Sequence, residues 1–166
     1  MKEIIYNIYI IDTSSLIEMK NKYPEDTFPT LWEKMNELYT NGRLIAPVEV
    51  KKEIEKGDDK LTEWIKDKKN MFIKPDKSQT NKVKEILSEF SYLAKPEKEG
   101  PNADPWLIAL AIVKNNEEKT KIFSYEYVIV TEESRRNQRK IPAVAQHYNI
   151  NCINLMELFR KEGWRF

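Results

Sequence analysis

The chain contains little of what several common kinds of functional site require. It has one cysteine, Cys152, among 166 residues, so an internal disulfide is excluded and a reducing, cytosolic compartment is favoured. It has one histidine, His147, so zinc-finger spacing and a histidine-based catalytic triad are hard to build. Chemistry at a polar site must therefore come from other residue types.

A net charge of one sign is also nearly absent. The 28 Lys+Arg and 27 Asp+Glu residues leave a formal net charge of +1, so any nucleic-acid site must come from local clustering. No apolar run approaches the ~20 residues that span a bilayer, and the N-terminal residues lack the features of a signal peptide. We therefore expect a cytoplasmic protein with no membrane partner.

What the sequence does have is a regular alternation of two patterns. Short β-branched and aromatic segments alternate with amphipathic segments of helical period, without repeats or linkers. Charged residues make up 33% and hydrophobic residues 40%, which is typical of a globular chain. These patterns predict a single domain over residues 1–166, of class α/β. We expect a three-layer α/β/α sandwich with a central, mostly parallel sheet.

The first β-branched segment, residues 4–11, ends in an acid followed by small hydroxyl residues. This segment is typical of a strand buried on both faces, and Asp12 would stand at its carboxyl end, where ligands gather in open α/β sheets. Thr13 or Ser14 could cap the following helix. Asp12 could serve chemistry or form part of that cap, and the segment alone leaves both interpretations open.

Four further acids lie at the edges of predicted elements. They are Glu53, Asp104, Glu132 and Glu133. Each has an alternative interpretation: Glu53 could be a solvated helix residue, and Asp104, which precedes Pro105, could be only a helix N-cap. Glu132 and Glu133 could be loop charges paired with neighbouring arginines.

If neighbouring parallel strands bring these acids to one edge, their carboxylates would repel one another unless a cation joins them. Ligation by oxygen alone favours a hard ion, Mg²⁺ or Mn²⁺. Such an ion, held by few carboxylates together with a substrate phosphate, is typical of phosphodiester cleavage.

Four segments carry the acids in a characteristic order. They read Asp-Thr-Ser-Ser-Leu-Ile at 12–17, Pro-Val-Glu-Val-Lys-Lys-Glu-Ile at 47–54, Ala-Asp-Pro-Trp-Leu-Ile-Ala-Leu-Ala at 103–111 and Val-Ile-Val-Thr-Glu-Glu at 128–133. This order resembles the PIN-domain nucleases, and most closely a group of prokaryotic PIN-like proteins related to the ribonuclease toxins of VapBC type. The resemblance spans residues 4 to about 158, and implies a PIN-like fold and RNA cleavage that depends on Mg²⁺ or Mn²⁺.

The resemblance also implies roles for individual residues. The catalytic acids would be Asp12, Glu53, Asp104 and Glu133. The metal ligands would come from the same four acids and Glu132. Ser14 and Thr131 match supporting hydroxyl positions. The family often has Thr-x-Asp at the last motif, where this chain has Thr131-Glu132-Glu133, so either glutamate could be the fourth acid.

A basic loop follows the last of these motifs. It contains Arg135, Arg136, Arg139 and Lys140. One hypothesis is that this loop binds RNA phosphates near the metal, and the alternative is an ordinary solvated loop.

The expected function is therefore a metal-dependent endoribonuclease, acting as the toxin of a toxin–antitoxin pair. Its expected partners are RNA and an antitoxin protein, with a homodimer as a further expectation from the family. The alternative is a non-catalytic PIN-like module that binds RNA or protein through a degenerate metal site. A phosphatase of the haloacid-dehalogenase kind is set aside, because Ser14 occupies the place of its second aspartate.

Overall fold

Five strands form one sheet in the computed structural model, which describes residues 3–166 (for Ile5, the backbone alone). The strands are β1 Glu3–Ile11, β2 Leu44–Pro47, β3 Phe72–Ile73, β4 Phe123–Val130 and β5 Cys152–Ile153. Their order is β3-β2-β1-β4-β5, and every pairing between them is parallel. The predicted three-layer α/β/α architecture with a parallel central sheet is confirmed.

Eight helices cover the described residues of this sheet. They are α1 Thr13–Lys22, α2 Pro29–Thr40, α3 Val48–Gly57, α4 Asp59–Ile65, α5 Lys77–Glu89, α6 Asp104–Glu118, α7 Ile141–His147 and α8 Leu155–Lys161. Short 3₁₀ turns occupy Lys69–Met71 and Ser91–Ala94. Among residues 3–166, no helix combines the length and apolar character that crossing a membrane requires.

The core lies around β1 and α6, the two most apolar elements. Tyr9, Ile10 and Ile11 of β1 are fully buried, as expected for a strand covered on both faces. In α6 the apolar residues from Leu107 to Val113 are all buried, which explains why this helix lacks a polar face. These rigid elements support the side chains that follow β1 and precede α6.

The strand order places the candidate residues at one edge of the sheet. β1 lies between β2 and β4, with Ile10 paired to Ile45 and Ile11 paired to Val130. The residues that follow the three strands therefore emerge side by side. The chain's order along the sheet also reverses between β1 and β4, and ligands of open parallel sheets bind at such reversal points.

Candidate functional site

A cavity of about 550 Å³ opens at the carboxyl end of the sheet and contains the carboxylates of Asp12, Glu53, Asp104 and Glu133. We call it the acidic pocket. Its acids come from four separate segments: the end of β1, the middle of α3, the start of α6 and the loop after β4. The structure thus brings together four of the five acids that the sequence singles out.

Asp12 is buried, and hydroxyl groups hold its carboxylate. Ser14 Oγ donates to Asp12 Oδ2 at 2.7 Å and Thr131 Oγ1 donates to the same oxygen at 2.8 Å. The predicted caps of α1 are wrong, because Asp12 occupies the N-cap position without a side-chain cap bond and Thr13 donates to Glu53 instead. These contacts orient Asp12 towards the pocket and leave Oδ1 outside the hydrogen bonds of the described residues.

The surroundings of Asp12 raise its pKa to about 7. Burial is the main cause, since it disfavours the charged form, and the negative charges of Asp104 and Glu133 add to it. The hydrogen bonds from Ser14 and Thr131 oppose this rise without cancelling it. No lysine or arginine of residues 3–166 forms an ion pair with Asp12, so its ionised form lacks a counter-ion.

Asp104 is also buried, and its carboxylate forms an ion pair with Lys95. The N-cap interpretation of Asp104 is wrong: α6 begins at Asp104 itself, and Ala103 occupies the N-cap position without a side-chain cap. The carboxylate is therefore free of a capping role.

Glu53 is held from three sides, and its side chain is only 12% exposed. Thr13 Oγ1 donates to Oε1 at 2.6 Å, Lys98 Nζ donates to Oε2 at 2.6 Å, and the Ala103 amide donates to Oε2 at 3.3 Å. The interpretation of Glu53 as a solvated helix residue is therefore wrong. Its bonds connect α3 to the start of α1 and to the approach to α6.

The two glutamates after β4 point in different directions. Glu133 faces the pocket, where burial and the charge of Asp104 raise its pKa and Lys140 lies 3.6 Å away. Glu132 instead accepts bonds from Ser15 Oγ at 2.5 Å and from the Leu155 amide at 3.0 Å, so it joins α1 to the start of α8. The structure places Glu133, and not Glu132, beside the other acids.

As arranged here, no three Asp, Glu, His or Cys side chains of residues 3–166 stand close enough together to hold a metal ion. The donor chemistry nevertheless suits a hard cation, because carboxylate and hydroxyl oxygens converge on one cavity. The raised pKa values of Asp12 and Glu133 show in addition that the pocket is short of positive charge. The residues present therefore fit a divalent cation by chemistry and charge.

The basic loop lies beside the pocket and is partly engaged within the protein. Arg135 forms an ion pair with Glu157, Arg139 lies over the Tyr92 ring at 4.9 Å, and Lys140 faces Glu133. Arg136 is exposed, and no ion pair among the described residues involves its side chain. The loop lies where RNA phosphates would approach, and its role in binding them stays a prediction.

Sequence reasoning missed two lysines, Lys95 and Lys98, which bind Asp104 and Glu53. Both lie in the charged segment before Asp104, and their nearness to that acid was the one available signal. Lys56 and the half-exposed Ile17 also line the pocket.

Residues 9–166 match the family described as Domain of unknown function (DUF4411). The match includes all four acids of the pocket. No curated protein and no solved structure matches the chain significantly.

Proposed function

The chain belongs to the DUF4411 family, and we propose that it is a metal-dependent endoribonuclease with a PIN-like fold. One observation carries the proposal: four carboxylates from distant segments line a single cavity at the reversal point of a parallel sheet. The motif order in the sequence supplies the reaction class, and the geometry supports it by collecting the expected acids.

Asp12, Asp104 and Glu133 would hold the ion, Mg²⁺ or Mn²⁺, and Glu53 would complete its surroundings directly or through water. When bound, such an ion lowers the pKa of a coordinated water and neutralises charge that develops on a phosphate. Glu132 is left out of this set, because its carboxylate is occupied by Ser15 and the Leu155 amide.

The protein's own residues would prepare the site for this substrate. Ser14 and Thr131 both donate to Asp12 Oδ2, which fixes the carboxylate and presents Oδ1 to the cavity. Thr131 also accepts from the Glu133 amide at 3.2 Å, so one hydroxyl links the two acids. A cavity of about 550 Å³ admits a nucleotide-sized part of a strand.

The partners of this activity are part of the same proposal. RNA would reach the pocket across the basic loop, where Arg136 is exposed. A toxin role in the cytoplasm, with an antitoxin protein that covers the pocket, and a homodimer remain predictions from the resemblance.

A second candidate function is a non-catalytic PIN-like module that binds RNA or protein. The observation that favours it is the spacing of the acids, none of which forms a three-membered metal-binding group among residues 3–166. In this case the lysine ion pairs of Asp104 and Glu53 would be permanent.

Cleavage of labelled single-stranded RNA with Mn²⁺ or Mg²⁺ separates the two functions. Removal of one charged ligand should reduce cutting at least about 100-fold in both Asp12→Asn and Asp104→Asn, as expected for a group acting on the transition state. Asp59→Asn, on the exposed surface of α4, is the matched control and should cleave as the wild type does. Metal-independent cutting, or RNA binding without cutting, would contradict the nuclease.

A further inference from the structure

The segment Lys95–Pro101, here called the lysine loop, lies between the 3₁₀ turn Ser91–Ala94 and α6. It brings two ammonium groups into the acidic pocket. Lys95 binds the carboxylate of Asp104, and Lys98 Nζ lies 2.6 Å from Glu53 Oε2. Two of the four pocket acids are thus occupied by cations from one short loop.

The backbone of the loop aims these lysines. Lys95 has φ +48°, a left-handed conformation that favours glycine, so a side chain is present here despite the backbone preference. The Lys98 amide donates to the Lys95 carbonyl at 2.9 Å, which makes a turn between the two lysines. Lys56 Nζ, on α3, donates to the Glu99 carbonyl at 3.0 Å.

The lysine loop is otherwise lightly attached. Residues 96–100 are all exposed, and the Lys98 side chain retains 39% of its accessible surface. The loop can therefore release its two ammonium groups without disturbing the core.

Lys95 interacts with most of the pocket's charge. Burial alone would lower its pKa, but the hydrogen bond to Asp104 and the charges of Asp104, Glu133 and Asp12 outweigh burial and raise it. Lys95 is therefore a permanent cation whose place is governed by the acids around it.

We propose that Lys95 and Lys98 are exchangeable counter-ions that bind Asp104 and Glu53 in the cation-free pocket and bind RNA phosphates when a divalent cation occupies it. This inference rests on the proposed function. An oxygen that accepts from an ammonium group is a poorer ligand for a second cation, so the lysines and the metal compete for Asp104 and Glu53. Once displaced, the ammonium groups stay at the mouth of the pocket, where a phosphate would need them.

Two binding measurements on Lys95→Met/Lys98→Met test the inference without relying on cleavage. Mn²⁺ affinity is measured by electron paramagnetic resonance. Affinity for a mixed-sequence, phosphorothioate-linked single-stranded RNA is measured by fluorescence anisotropy in saturating Mn²⁺. Lys82→Met is the matched control, since Lys82 forms an ion pair of 2.8 Å with Glu85 away from the pocket.

The expected signature is a pair of changes in opposite directions. Loss of two competing ion pairs should tighten Mn²⁺ binding about five- to tenfold. The same change should weaken RNA binding and reduce its salt slope by about 2, one per lost phosphate contact. Lys82→Met should move neither value. If the double variant is unstable, Lys98→Met alone should shift both affinities in the same directions by a smaller factor.

Failure of this inference differs from failure of the proposed function. Wild-type protein that binds Mn²⁺ with the same affinity as the double variant would overturn the exchange and leave the nuclease standing, as would unchanged RNA binding. Mn²⁺ binding by the double variant alone would support the exchange. Absence of Mn²⁺ binding in both proteins would overturn the exchange and the proposed function together.

Discussion

Two acids that contact residues in or just after β1 have opposite electrostatic surroundings. Glu162 receives two bonds from the Arg43 guanidinium, at 2.9 and 2.7 Å, and a third from the Tyr9 hydroxyl at 2.5 Å. Asp12, three residues after Tyr9, receives bonds from hydroxyl groups alone. Glu162 thus has a bidentate cation, and Asp12 has none among the described residues.

This difference separates a structural acid from an acid that is available to a ligand. The Arg43 side chain also lies over the Tyr6 ring at 4.9 Å and donates to the Asn7 carbonyl at 3.0 Å, so the Glu162 cluster ties β1 to the segment after α8. Asp12 gains no such partner, and its pKa rises to about 7. A positive charge added near Asp12 would therefore stabilise the protein, whereas one added near Glu162 would find no open carboxylate.

The largest expected effect comes from breaking the matched cluster. Arg43→Met should reduce the free energy of unfolding by about 3 kcal/mol, because it leaves the Glu162 carboxylate largely buried without its cation. Urea unfolding followed by circular dichroism measures the loss. Lys82→Met, which breaks an exposed pair, should cost little. Equal losses in the two variants would show that the Arg43 cluster is no more structural than a surface ion pair.

Asp12→Asn should have the opposite sign and a smaller size. The folded pKa of about 7 exceeds the ordinary value of 3.8, so between these values the folded protein holds a proton that the unfolded chain has released. Stability from Asp12 is complete below pH 4 and is lost as pH rises towards 7.

We therefore expect Asp12→Asn, in a metal chelator, to be more stabilising at pH 8 than at pH 5 by about 2 kcal/mol. Guanidinium unfolding at the two pH values checks this. A variant that is destabilised equally at both would mean that Asp12 is as well matched as Glu162.

Adding a cation should affect only one of the two regions. Mn²⁺ at ten times its Kd should stabilise the wild type by about 1.4 kcal/mol, because it binds the folded protein alone. Thermal unfolding should then shift upward by about 3 °C. Arg43→Met should show the same shift and Asp104→Asn a reduced one. A Mn²⁺ shift that disappears in Arg43→Met would place the ion at the wrong end of the comparison.

The smallest expected effect distinguishes the two adjacent glutamates. Glu132→Gln should lower the free energy of unfolding by about 1 kcal/mol, since its carboxylate binds Ser15 and the first amide of α8. Glu133→Gln should keep stability and weaken Mn²⁺ binding. Stability and Mn²⁺ titrations of both variants test this, and exchanged results would make Glu132 the fourth pocket acid.

The sequence was sufficient to predict the sheet and the meeting of the acids. A β-branched run that ends in Asp12 predicts a buried strand, and parallel neighbours must end at one edge, so Thr131 and its following acids could be placed beside Asp12. Asp104 was located correctly but explained incorrectly, since Asp-Pro at a helix start looks the same whether or not the side chain caps.

Side-chain direction and loop contacts were harder to predict. The period of two in extended backbone puts Thr131 and Glu133 on the same side and Glu132 on the other, a signal that could have favoured Glu133. Lys95 and Lys98 lie in a loop without periodicity, and their partners are set by the tertiary fold. The left-handed backbone at Lys95 could not be read either, because glycine usually marks that conformation.

The central position of β1 has a consequence for how the chain is made. β1 is synthesised first, yet one of its two neighbours, β4, begins at Phe123, more than a hundred residues later in the sequence. Until β4 leaves the ribosome, one edge of the most apolar strand has no hydrogen-bonding partner and can join strands of other nascent chains. The long delay between these partners makes slow folding and dependence on chaperones the expected behaviour during translation.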